Sequence, residues 1–181
     1  LHKLEDLAAK YDPAGVEGFR KDIANHSPSI LICGQAYGNQ MVLPFYTYHM
    51  GMFIRQDVYD HPTEQANFKA KYGYDLKAPT TEKELTDQAE FFTRKKGAQL
   101  KGKTLEHDLY GLAMMAGAYQ INDEISCRLW GKGADYATVV RDASGKLKEF
   151  VITKKDVQAL TATLTEYKNQ LNFSSPGSLT A

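Results

Sequence analysis

Cysteine is scarce in this chain: Cys33 and Cys127 are the only two in 181 residues. They form neither a CxxC pair nor a zinc pattern, which excludes a disulfide-stapled scaffold. An excess of charge is missing as well, since 22 Lys and Arg balance 22 Asp and Glu at a pI near 7.1. Nucleic-acid binders usually carry a basic excess, so no nucleic-acid partner is expected. No apolar run approaches the ~20 residues of a membrane-spanning helix, and no span is expected in this segment. Repeats and low-complexity tracts are absent too. What remains is a globular balance of 43% apolar and 24% charged residues, enough to bury a core. The chain opens at Leu1 without Met and without the charged and apolar stretches of a signal peptide. Leu1, Leu4, Leu7 and Ala8 hold helical spacing from the start, as expected of a mature chain or a segment of a longer one.

Local signals divide the chain into alternating elements. Residues 1–10 and 14–24 read as helices, and Ser29-Ile30-Leu31-Ile32-Cys33 reads as a short strand. Gly34, Gly38 and Asn39 mark a turn, and Pro44 demotes the run that follows to an edge or crossing segment. Tyr46 to Val58 alternates like a strand. Pro62 and Gly73 bracket a helix with Phe68 and Tyr72 at i,i+4. Thr81 and Glu84 form a capping box ahead of the stripe Leu85, Ala89, Phe92. Tyr110 to Met115 reads as a buried strand, and Asn122 to Gly131 as a helix. Tyr136–Val140 and Leu147–Ile152 flank the turn Asp142-Ala143-Ser144-Gly145 as a β-hairpin. Thr153 and Asp156 cap a last helix. The alternation predicts an α/β class.

Several groups of residues offer chemistry. Gly97-Ala98-Gln99-Leu100-Lys101-Gly102-Lys103-Thr104 fits GxxxxGK[ST]. A phosphate loop leaves a strand and opens a helix, whereas here Phe91 to Lys96 continue a helix, so a solvated connector is expected. His2, His26, His49, His61 and His107 share no metal-ligand spacing, and no metal or cofactor is expected. Glu106, Asp108, Asp123 and Glu124 could supply paired carboxylates, although acids at a helix start already have a reason to be there. Phe45 and Trp130 read as core filling. For Tyr46, Tyr48 and Tyr119 two readings stand, core filling or stacking on the C–H face of a sugar ring. Both thiols are expected to be reduced, buried and inert.

The stretch Tyr37-Gly38-Asn39-Gln40-Met41-Val42-Leu43-Pro44, followed by Met52-Phe53-Ile54-Arg55-Gln56-Asp57-Val58, resembles the signature of extracellular solute-binding protein family 1. These are the carbohydrate-binding subunits of ABC importers, similar to the maltose-binding proteins. The resemblance continues through Phe68 to Leu76 and Pro79 to Leu85. It returns at Tyr110-Gly111-Leu112-Ala113 and Leu129-Trp130-Gly131-Lys132-Gly133. Glu82 stands where the family usually has Trp, and family members are roughly twice as long.

The resemblance implies a periplasmic-binding-protein-like (type II) lobe, as a fragment of a two-lobed protein that closes by hinge bending. Residues 1–45 would be a remnant of the first lobe with the hinge, and residues 46–181 the second-lobe domain. Leu43 to Met50 would be the hinge crossing, with Tyr46 and Tyr48 facing the cleft. Gln120, Asn122 and Asp123, with Tyr119, would complete the ligand-binding set. The implied ligand is a mono- or oligosaccharide, the implied partners are ABC importer permease subunits, and the parent protein would be periplasmic or surface-anchored. Two readings from other classes remain: a P-loop nucleotide-binding enzyme using Lys103 and Thr104, and a glycan-processing fragment using Asp123 and Glu124.

Overall fold

A computed structural model describes residues 2–44 and 50–179 of the chain. The fold divides into two compact units, Leu1–His49 and Met50–Ala181. In the first, α1 (Leu4–Tyr11) packs on α2 (Gly15–Ile23), joined by the exposed Arg20–Glu5 ion pair. The run expected as a strand is instead α3 (Pro28–Leu31) continued by a 3-10 turn over Ile32–Gly34. Pro28 sits at the first helical position, where its fixed φ favours helix and its missing N–H costs nothing. β1 (Gln35–Ala36) and β2 (Asn39–Gln40) close a small hairpin through Tyr37 and Gly38, both at positive φ.

The second unit begins with a second departure. No strand forms from Met50 to Val58 among the described residues; one turn of helix, α4 (Gln56–Tyr59), buries Val58 instead. α5 (Pro62–Tyr72) has Pro62 at its start and Gly73 at φ 82° at its end, as the sequence signals require. α6 (Glu82–Phe92) is capped by Thr81, whose hydroxyl accepts from Glu84 N–H at 3.1 Å. The Glu84 carboxylate reaches one residue further back than a standard capping box and accepts from Thr80 N–H and Oγ.

β3 (Gln99–Leu100) and β4 (Lys103–Thr104) form one hairpin, and β5 (Thr138–Arg141) and β6 (Leu147–Val151) another. Between them lies α7 (Ile121–Gly131), and after them α8 (Lys154–Gln170), which carries the full Thr153–Asp156 capping box. Among the described residues the strands pair only as three separate two-stranded antiparallel sheets. The result is a mixed, mostly helical α/β arrangement, in which packed helix faces rather than a central sheet supply the core.

That core has two clusters. Val58, Phe68, Leu76 and Phe92 form the first, and Met114, Ala116, Ile125 and Tyr167 the second. A polar node ties α6, α7 and α8 together. The wholly buried Gln170 accepts from Arg128 at 2.6 Å and donates to Glu82 at 2.9 Å and Thr86 at 3.0 Å. Glu82 also takes Arg128 directly at 2.9 Å, so the position where the resembled family has Trp holds an ion pair here.

The apolar run Tyr110 to Met115 is not a strand either. Its backbone is pinned to the segment after α8: Leu112 N–H donates to Phe173 O, Met114 N–H to Ser174 Oγ, and Ala116 N–H to Ser178 O. Gly111 is required where this segment crosses α6, because a Cβ there would lie 1.9 Å from the Ala89 carbonyl oxygen. Its N–H donates to Thr93 Oγ at 3.0 Å, which leaves little room to retreat. Gly111→Ala should cost about 1–3 kcal/mol through overpacking, read as a lower urea midpoint at unchanged slope. A midpoint equal to that of the wild type would show that the contact relaxes freely.

Candidate functional site

All four described sugar-binding candidates, Tyr119, Gln120, Asn122 and Asp123, gather at the N-terminal end of α7. A turn over residues 117–120 leads into it, with Ile121 N–H on Gly117 O and Asp123 N–H on Gln120 O. This turn carries Tyr119 outward, its side chain 88% exposed, so the ring is a free face and not core filling. Gln120 occupies the cap position without using its side chain there. Asn122 is exposed and Asp123 half-buried. Tyr46 and Tyr48, with the rest of residues 45–49 in the expected hinge crossing, lie outside the described residues.

The helix explains the acids. Asp123 and Glu124 both sit in the first turn of α7, where negative charge meets the positive end of the helix dipole. Glu124 Oε1 also accepts from Met115 N–H at 2.6 Å, which fixes the approach of the preceding segment. Successive helical residues point about 100° apart, so Asp123 and Glu124 do not face each other as an acid–base pair would. Nearby, Tyr167 has its hydroxyl pKa pushed up to about 12 by burial and then by the Glu124 charge. Among the described residues no group of three or more His, Cys, Asp and Glu could hold a metal ion.

The GxxxxGK[ST] segment is the hairpin β3–β4. Lys101 at φ 54° and Gly102 at φ 75° make its two-residue turn, the geometry that primed hairpin turns demand. No helix opens at Thr104; the next begins at Ile121. The Lys101 N–H is donated to Glu64 at 2.7 Å, so a carboxylate stands against the loop's backbone. Lys101 Nζ pairs with Asp57, and Thr104 Oγ accepts from Gln99. Glu64 is held in turn by Arg94 at 2.6 Å and 3.3 Å, with only 2% of its side chain exposed. The segment is a latch onto α5.

Two expectations about burial need correction. Cys33 and Cys127 are both free and both exposed. Cys127 points away from the α7 face that buries Ile125, Ser126 and Leu129, and Cys33 lies on a 3-10 turn with no buried residue. Trp130, read as core filling, is 57% exposed at the far end of the same helix, one position past the buried Leu129.

Two site residues escaped the sequence reading. Tyr136 donates its hydroxyl to Asn122 Oδ1 at 3.1 Å and lies 2.9 Å from Ser126 Oγ. The i,i+4 spacing of Asn122 and Ser126 was the available signal, since it puts both on one helix face. Comparison with family models, with curated proteins and with solved structures finds no match to this chain.

Proposed function

We propose that this chain binds a mono- or oligosaccharide and belongs to the substrate-binding component of an ABC-type importer, as part of its second lobe. The parent protein would be periplasmic or surface-anchored and would pass its ligand to permease subunits. The observation that carries the reading is the open ring of Tyr119 beside unspent polar groups at the start of α7. A sugar ring lies its C–H face on such an aromatic while its hydroxyls exchange hydrogen bonds with amides and carboxylates. The motif resemblance from Tyr37 to Gly133 supports the same class. No helix among the described residues is long and apolar enough to cross a membrane.

An exposed face leaves a ligand largely wet, and each polar contact then nets only about 0.5–1.5 kcal/mol against water. Maltose should therefore bind this chain at about millimolar affinity, seen as chemical-shift changes at Tyr119, Gln120, Asn122 and Asp123. Tyr119→Ala should weaken binding about fivefold by removing a stacking surface worth ~1 kcal/mol. Shifts elsewhere, or an unaffected Tyr119→Ala variant, would sink this site. Magnesium–ATP binding abolished by Lys103→Ala would replace the reading with a nucleotide one.

A further inference from the structure

The amide of Asn122 can present its oxygen or its NH2 group to a ligand, and something must choose between them. The phenol of Tyr136 has one proton, and it goes to Asn122 Oδ1. Ser126 Oγ, 2.9 Å away, then donates to the Tyr136 oxygen. Ser126 is buried at 5% exposure, one helical turn along α7, so the relay starts from a fixed point in the core. Tyr136 is steadied from its own side as well, since its N–H donates to Asp135 Oδ1 at 2.8 Å. With Oδ1 engaged, both N–H bonds of the amide are left to the ligand.

We infer that Tyr136 is a positioning residue that fixes Asn122 as a double donor toward the ligand. The inference rests on the carbohydrate reading of this helix end and narrows it. Asn122 then requires acceptor oxygens, while the Asp123 carboxylate, which carries no hydrogen bond from the described residues, requires a hydroxyl proton. A pair of neighbouring hydroxyls on a neutral sugar supplies both roles, because each hydroxyl accepts and donates.

The test uses Tyr136→Phe, which keeps the ring and removes only the hydroxyl. Without sugar, the side-chain amide order parameter of Asn122 should fall from the rigid range near about 0.85 to below about 0.6, with the backbone spectrum of α7 unchanged. Ser126→Ala should lower it through Tyr136. An order parameter that stays high in Tyr136→Phe overturns the inference. In a maltose titration Tyr136→Phe should weaken binding about threefold, and should add nothing in an Asn122→Ala background. Additive losses would show that Tyr136 touches the sugar on its own account, against the inference. If the order parameter falls but no variant binds maltose, including the wild type, the positioning role stands and the carbohydrate reading is lost.

Discussion

Glu64→Gln should destabilise the second unit by about 3 kcal/mol, among the larger effects of any single substitution in it. The carboxylate accepts two N–H bonds from Arg94 and one from the Lys101 backbone, all within 3.3 Å. With the charge gone, Arg94, itself only 15% exposed, keeps the Phe91 and Gln99 carbonyls and the Phe91 ring but loses its one anionic partner among the described residues. An unpaired charge away from water costs more than the pair ever returned. Denaturant unfolding should show a lower midpoint at unchanged slope, and hydrogen exchange should speed first in the β3–β4 hairpin. Exchange rates equal to those of the wild type there would mean that the latch contributes little.

The same group makes the unit sensitive to acid. Burial alone would raise the Glu64 pKa, but the bonds from Arg94 and Lys101 outweigh it, and the net value lies below the ordinary 4.5. A folded-state pKa below the unfolded one gives stability that is complete above about 4.5 and lost as pH falls through the folded value. Between pH 7 and about pH 6 Glu64 should therefore contribute almost no slope. Below pH 4.5 the wild type should lose ground to Glu64→Gln, whose midpoint has no such proton to take up.

Elements whose ends carry their own chemistry were legible in the sequence. Pro62 and Gly73, Thr81 with Glu84, and Thr153 with Asp156 each act within four residues, and each bounds a helix in the structure. The hairpin at residues 138–151 was legible for the same reason, with Asp142 accepting from the Ser144 and Lys146 N–H groups inside its turn. Apolar runs without ends were not. Ser29 to Cys33 and Tyr110 to Met115 are equally at home in a strand, a helix or an irregular buried segment. What decided between these was Pro28 in one case and the long-range hydrogen bonds to the 173–178 segment in the other. The alternation that predicted an α/β class did not say that the strands would pair only with their nearest neighbours.

The site was legible in part. Tyr119, Gln120, Asn122 and Asp123 do come together, because a helix start gathers consecutive residues whatever the rest of the fold does. Tyr136 was missed because its bond to Asn122 spans 14 residues and depends on how the segment between α7 and β5 folds back onto α7. Spans of 30 and 42 residues hid the Arg94–Glu64 and Arg128–Gln170 contacts for the same reason. The hairpin at Gly97–Thr104 shows the reverse problem. Its residue types match a phosphate loop, and only the positions of Glu64 and Asp57 reveal that the Lys101 backbone and side chain serve α5 and α4.

Phe68→Ala should cost about 3–5 kcal/mol, the full price of removing a buried aromatic ring. Phe68 is wholly buried on α5 and meets three other rings. Tyr74 and Phe91 lie edge-on at 5.1 Å, and Tyr72 is tilted at 4.7 Å. Edge-to-face pairs add about 0.5–1.5 kcal/mol each beyond area burial, so the loss includes geometry as well as surface. Phe91 and Phe92 follow one another on α6, and Phe92 touches Tyr59 at 5.5 Å, so the cavity would loosen α4, α5 and α6 together. Phe68→Leu, which keeps most of the volume, should cost less and remain folded. It also separates the two clusters: the start of α7 is set by Met114, Ile125 and Tyr167, so in Phe68→Leu the maltose response at Tyr119 and Asn122 should match that of the wild type. Hydrogen exchange should rise in α5 and α6 while α7 keeps its protection. Equal loss of protection across α5, α6, α7 and α8 would show that the two clusters open as one cooperative unit, and that the N-terminal end of α7 depends on both.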